Sequence, residues 1–207
     1  MSPYDPDIHH RRSIRLPGRD YSAIGAYFVT ICVNHRLLLF GDVVDAQMQR
    51  NAAGQMIEHW WLELANKYER VTTDAYIVMP NHVHGIIMIN TEEGAHTGAS
   101  LQLGPKSGRM MPAVETTESP LYSMIQWFKT MTTNEYIRRV KSDGWKRFSG
   151  KLWQRNYHEH IIRHDESLGK IRDYIANNPS QWALDPENSE VKSQPPKDSD
   201  DSEPWRV

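Results

Sequence analysis

Between two strand-like runs, Thr72 to Met79 and His82 to Asn90, the chain has only Pro80 and Asn81, and no other feature limits its fold so much. A two-residue connection can only reverse the chain, because a parallel crossover needs about a dozen residues or more. The two runs therefore pair antiparallel, and the sheet they start is antiparallel at its centre. A third run, Ala26 to Asn34, is rich in β-branched and aromatic residues and reads as another strand. Leu37 to Val43 follows it across the polar stretch Asn34, His35, Arg36 and is a candidate partner.

Helical periods occupy the spaces between. From Ala46 to Tyr68, the residues Met48, Ala52, Met56, Trp60, Leu64 and Tyr68 recur every fourth position, flanked by Ile57, Trp61 and Ala65. Leu121, Ile125, Phe128, Thr132, Tyr136 and Val140 mark a second amphipathic helix. Lys151 to Arg163 reads as a strand, and Asp165 caps a third helix that runs to about Asn178 and stops at Pro179. The order strand, helix, strand, strand, helix, strand, helix describes an α+β fold. It is a ferredoxin-like split βαβ sandwich, an antiparallel sheet with its helices on one face.

Three segments fall outside this frame. Residues 1–22 carry Arg11, Arg12, Arg15 and Arg19 without any period and read as a basic arm. Residues 91–119 hold four glycines and two prolines and read as a long loop within the single domain expected over 23–182. Residues 183–207 hold seven acidic and three basic residues, and their net charge of -4 reads as an acidic, disordered tail.

The net charge of the whole chain is only -2, which excludes a protein that coats nucleic acid by bulk charge. Charge is nevertheless gathered locally, since ten bases face four acids between Arg138 and Arg172. No apolar run approaches the roughly 18 residues of a membrane span, and the first residues lack the apolar core of a secretory signal. A cytoplasmic protein, nucleoid-associated when bound to DNA and without a membrane partner, is expected. With Cys32 as its one cysteine, the chain has neither a disulfide framework nor a cysteine metal cage.

Histidines carry the chemistry. His82 and His84 stand at i and i+2 on a strand, so both imidazoles leave one face about 6.6 Å apart along the backbone and can converge on one metal ion. Strand histidines are also commonly half-buried and bonded to neighbouring backbone. A second such pair, His158 and His160, reads as structural or DNA-contacting. On the third helix Leu168, Ile171 and Ile175 form the core stripe, and Tyr174 and Asn178 lie about 40° apart beside it. A phenol and a carboxamide thus share one helix edge, where packing and a simple helix stop are the alternative roles.

Met79-Pro-Asn-His82-Val-His84, Leu152-Trp-Gln-Arg-Asn-Tyr-His-Glu-His-Ile-Ile-Arg163 and Asp173-Tyr174-Ile-Ala-Asn-Asn178-Pro179, in that order, resemble the REP-associated tyrosine transposases. These are relatives of the single-strand transposases within the His-hydrophobe-His endonucleases, and the resemblance covers roughly residues 20–182. It implies that 23–182 is a tyrosine transposase domain, that His82, His84 and Asn178 bind a metal, and that Tyr174 is the nucleophile. It also implies a single-strand endonuclease and strand transferase acting at hairpin-forming repeats through a 5′-phosphotyrosine.

The residues fit that chemistry on their own terms. A phenol with a pKa of about 10 is mostly protonated at neutral pH and needs activation before it attacks a phosphodiester. A divalent ion supplies it as Lewis acid and template, and a mixed N,O donor set suits Mg²⁺ or Mn²⁺, although Zn²⁺ binds such sites as readily. Arg138, Arg139, Lys146, Arg147, Lys151, Arg155 and Arg163, with Trp153 and Tyr157, offer cations and stacking faces for single-stranded DNA. The expected partner is single-stranded DNA with hairpin repeats, and the protein a monomer or homodimer. The competing expectation is a domesticated, non-catalytic DNA-hairpin-binding protein; a zinc hydrolase using metal-bound water is a third.

Overall fold

The computed structural model describes residues 24–90 and 120–188. The arm at 1–22, the loop at 91–119 and the tail beyond 188 lie outside the described residues. The elements, in chain order, are β1 (Gly25–Cys32), β2 (Gly41–Val44), β3 (Gln47–Arg50), α1 (Ala52–Lys67), β4 (Val71–Val78), β5 (His82–Ile89), α2 (Pro120–Ser142), β6 (His158–Ile162) and α3 (Asp165–Asn177), with a 3-10 turn over Asn178–Leu184. The main sheet has the order β4-β5-β1-β6, and every pairing in it is antiparallel. The Pro80-Asn81 reversal closes as its length requires, with the Met79 N–H donating to the His82 carbonyl at 2.9 Å.

The α+β class and the antiparallel sheet hold, but the helices do not all lie on one face. Tyr27, Val29 and Ile31 on β1 pack with Ile57, Trp61 and Leu64 of α1 and with Leu121, Ile125 and Phe128 of α2. Ala26 and Phe28 point the other way and pack with Ile86, Ile162 and the α3 residues Leu168, Ile171 and Ile175. A strand that is apolar on both faces needs cover on both, and α3 supplies the second layer.

Two further expectations change. Leu37 to Val43 does not pair with β1, whose neighbours are β5 and β6; β2 pairs instead with β3 in a separate two-stranded ribbon. Asp45 and Ala46 reverse that ribbon with φ of 50° and 60°, the left-handed pair a tight hairpin uses. The first helix therefore begins at Ala52 rather than Ala46, with the Asn51 side chain accepting from the Gly54 N–H at 2.9 Å as its cap. The strand expected over Lys151 to Arg163 is confined to β6, while Trp153 forms only an isolated bridge to Val33.

Gly85 shows how tightly the first layer fits. A Cβ there would run into the indole ring of Trp61, which is fully buried on α1. Gly85→Ala is expected to lower stability by about 1–3 kcal/mol through overpacking, read as a fall in the urea midpoint with little change in slope.

A candidate metal and nucleophile site on the sheet face

His82 and His84 alternate with Val83 and Gly85 on β5, so the imidazoles leave the face that α3 covers while their neighbours enter the α1 side. Both are buried, at 0% and 3% exposure, and their rings lie 4.4 Å apart. Each is held at its Nδ1. Asn81 donates from Nδ2 to the Glu187 carbonyl at 2.8 Å and to the Arg36 carbonyl at 3.3 Å, which turns its Oδ1 toward His82 Nδ1 at 2.9 Å. The amide can only accept there, so Nδ1 of His82 carries the proton and Nε2 keeps its lone pair. Thr30 Oγ1 lies 2.8 Å from His84 Nδ1 and leaves Nε2 of that ring facing the centre.

The third helix brings the rest. Tyr174 places its hydroxyl 3.4 Å from His84 Nε2, with its ring 5.2 Å from the His84 ring and edge-on to Phe28 at 6.1 Å. Asn178, one turn on, is 3% exposed, and its Nδ2 donates to Asp185 Oδ2 at 3.3 Å. Asp185 Oδ2 stands 3.9 Å from His82 Nε2, and His82, His84 and Asp185 can each turn one donor atom into a cluster within 4.8 Å. The site thus joins the residues the sequence singled out, His82, His84, Tyr174 and Asn178, and adds three it did not: Asn81, Thr30 and Asp185.

Asp185 belongs to the stretch expected to be a disordered tail from residue 183 onward. Instead Asp185 and Asn188 are buried, and the segment is tied down by Glu187, whose carboxylate meets Arg36 at 3.0 Å and accepts from the Cys32 thiol at 3.1 Å. Nothing in the sequence separates Asp185 from the other acids of that stretch except its position seven residues after Asn178.

These residues fit a divalent ion. His82 Nε2 and Asn178 Oδ1 are buried acceptors with no hydrogen-bond partner among the described residues, a costly arrangement unless a cation satisfies both. Both imidazoles are neutral, as ligands must be. Burial, reinforced by the Arg36 guanidinium, pushes the pKa of His82 down to about 3. Burial and the neighbouring His82 hold that of His84 well below its usual value, against an opposing pull from Asp185.

Neutral burial of two histidines has a cost at low pH. Below the ordinary pKa of 6.5 the unfolded chain takes up protons that the folded chain refuses, so stability is full above that pH and falls as pH drops toward about 3. Metal-free protein therefore loses stability as pH falls below about 6.5, with both histidines contributing. Urea unfolding at pH 7 and 5 should show a His82→Asn/His84→Asn variant losing less stability than the wild type; identical pH dependence would contradict the assignment. Separately, Asn81→Ala is expected to weaken Mn²⁺ binding by about 10–100-fold, measured by calorimetry, because His82 loses the acceptor that fixes its tautomer.

The basic residues lie elsewhere. Arg138 and Arg139 close α2, with side chains 68% and 43% exposed and shared between Glu135 and Asp143. Lys146, Arg147, Lys151, Arg155 and Arg163 are exposed. The expected stacking faces are not. Trp153 is 4% exposed, wedged between Phe40 and Phe128 at ring distances of 5.4 and 5.8 Å, with its indole N–H donating to Thr132 Oγ1 at 2.9 Å. It is a core residue, because its ring fills the space between α2 and the end of β1. Tyr157 is half-buried, with the Lys129 ammonium 5.4 Å above its ring. That ammonium also donates to the carbonyls of Gln154, Arg155 and Asn156 at 3.0–3.3 Å, fixing the segment that leads into β6.

The chain thus has an antiparallel four-stranded sheet that carries paired histidines on an inner strand, beneath a helix bearing tyrosine and asparagine four residues apart. A solved structure of a REP-associated tyrosine transposase bound to a REP hairpin has the same fold, with a TM-score of 0.50 and 18% identity over 83% of this chain and 76% of that one. A Haemophilus influenzae protein provisionally named a REP-associated tyrosine transposase is 24% identical over 162 residues, 78% of this chain and 73% of its own length. An uncharacterized protein of the same organism is 36% identical over 185 residues, 88% of this chain and 95% of its own length. No protein-family model matches the chain. In fold, and at a distance in sequence, the chain is thus similar to REP-associated tyrosine transposases.

Proposed function

We propose that this protein is a metal-dependent, single-stranded DNA endonuclease and strand transferase acting at hairpin-forming repeats. The observation that carries the reading is one buried cluster in which two lone-pair acceptors without partners among the described residues, His82 Nε2 and Asn178 Oδ1, meet the phenol of Tyr174 through His84. The DNA partner is inferred from the likeness to a REP-associated tyrosine transposase whose solved structure is bound to a REP hairpin. Mg²⁺ or Mn²⁺ is the proposed ion, with His82, His84, Asn178 and Asp185 as its holders. When bound, it supplies Lewis-acid stabilisation of charge developing on the phosphate oxygens.

The chain's own residues do the remainder. Asn81 and Thr30 fix the two imidazoles before any ion arrives. Phe28 and the β-sheet hold the Tyr174 ring, so its hydroxyl approaches the phosphorus with little orientational freedom to lose. Attack forms a 5′-phosphotyrosine and releases a 3′-hydroxyl. The phosphodiester energy is kept in the new ester, so a 3′-hydroxyl can later reverse the step and join strands without ATP. Arg138, Arg139, Lys146, Arg147, Lys151, Arg155 and Arg163 are the proposed backbone contacts; Trp153 is not among them.

The test is a denaturing gel of protein incubated with Mg²⁺ or Mn²⁺ and labelled hairpin DNA. A covalent adduct on single-stranded hairpins and none on duplex is expected. Equal cleavage of duplex would contradict the single-strand reading, and hairpin binding without an adduct would favour the non-catalytic binder.

A further inference from the structure

Two histidines on the site face have no part in the chemistry above. In the sheet register His158 on β6 stands opposite Thr30 and His160 opposite Phe28, so both side chains leave the face that carries His84. His84, Thr30 and His158 therefore form one row across β5, β1 and β6. Along that row exposure rises outward. His84 is at 3% and Thr30 at 7%, whereas His158 is exposed.

The cover over the site leans to the opposite side. Arg172 on α3 grips Asp74 on β4, Trp182 lies over His82 with rings 6.0 Å apart, and Asp185 closes the end beside it. On β6 itself α3 packs over Ile162, while the beginning of the strand is open: His158 is exposed there, and the exposed Arg155 and Arg163 flank the strand.

We propose that His158 is a catalytic residue that protonates the leaving 3′ oxygen. This rests on the strand-cutting reading above. In cleavage the Tyr174 Oη–P bond forms as the P–O3′ bond breaks; the phenol proton passes to solvent water, and an imidazole N–H proton of His158 passes to O3′, which leaves as a hydroxyl. Solvent then restores the proton on His158. In rejoining, the imidazole takes the proton from the attacking 3′-hydroxyl and the departing phenol regains one from water. His84 is unsuited to this role, since Thr30 occupies its Nδ1 and its Nε2 faces Tyr174.

The experiment compares wild type and His158→Gln on two hairpin substrates, one with the natural 3′ oxygen at the scissile position and one with a bridging 3′ sulfur. A thiolate leaves without a proton. His158→Gln should cut the oxygen substrate about 10²–10³-fold more slowly and the sulfur substrate at close to the wild-type rate, with hairpin and Mn²⁺ affinities unchanged. Equal slowing on both substrates, or none on oxygen, overturns the proposal while the cutting reading stands. A wild type that forms no adduct with either substrate overturns both. His158 is exposed, so the variant keeps its fold, and unaltered urea unfolding confirms it.

Discussion

Tyr174→Phe is expected to bring the covalent protein-DNA adduct below detection while hairpin binding and the urea midpoint stay near their wild-type values. Phe keeps the ring that packs edge-on against Phe28 at 6.1 Å and beside His84 at 5.2 Å, and removes only the oxygen. Mn²⁺ affinity should hold or rise slightly, because the hydroxyl no longer contacts His84 Nε2. The readouts are a denaturing gel for the adduct and calorimetry for the ion. An adduct that persists in Tyr174→Phe and maps by peptide mass to Tyr157 would displace the nucleophile without displacing the enzyme class. Cleavage that persists with no adduct at all would instead favour metal-activated water.

His82→Ala or His84→Ala should abolish metal binding and cleavage together, which distinguishes the ligands from the nucleophile. Either change removes a buried donor and leaves its partner, Asn81 Oδ1 or Thr30 Oγ1, in a space closed to solvent. Stability alone could then explain the loss, so His82→Asn and His84→Asn serve beside them. These preserve polarity and much of the volume but cannot place a nitrogen lone pair at the Nε2 position. Folded Asn variants that bind Mn²⁺ with wild-type affinity would remove these residues from the ion's holders.

The site was legible in the sequence where side-chain direction follows from element geometry alone. His82 and His84 share a face because a strand has period two, and Tyr174 joins Asn178 because a helix brings i and i+4 together. Asp185 was not legible, because it reaches the site through a 3-10 turn and a half-buried ion pair of Arg36 with Glu187 that no period announces. Trp153 was misread for a related reason: a basic neighbourhood in sequence says nothing about which side of the chain an aromatic ring takes. Met48 matched a four-residue stripe by coincidence, and the left-handed turn at Asp45 and Ala46 cut it off from the helix. The position of α3 was recoverable. The run Ala26-Tyr-Phe-Val-Thr-Ile-Cys32 is apolar on both faces, the pattern of a strand that needs two covers rather than one.

The histidine pair and the two oxygen donors sit far apart along the chain, since Asn178 follows His82 by 96 residues and Asp185 by 103. At about 5–20 residues per second, translation delivers the second group about 5–20 s after the first. Through that interval the emerging polypeptide has its imidazoles but neither the carboxamide, the carboxylate nor the Tyr174 phenol. On the proposed mechanism a ribosome-bound chain would lack the complete site until the last turn of the fold had left the exit tunnel, so an unfinished or prematurely terminated product would not break DNA.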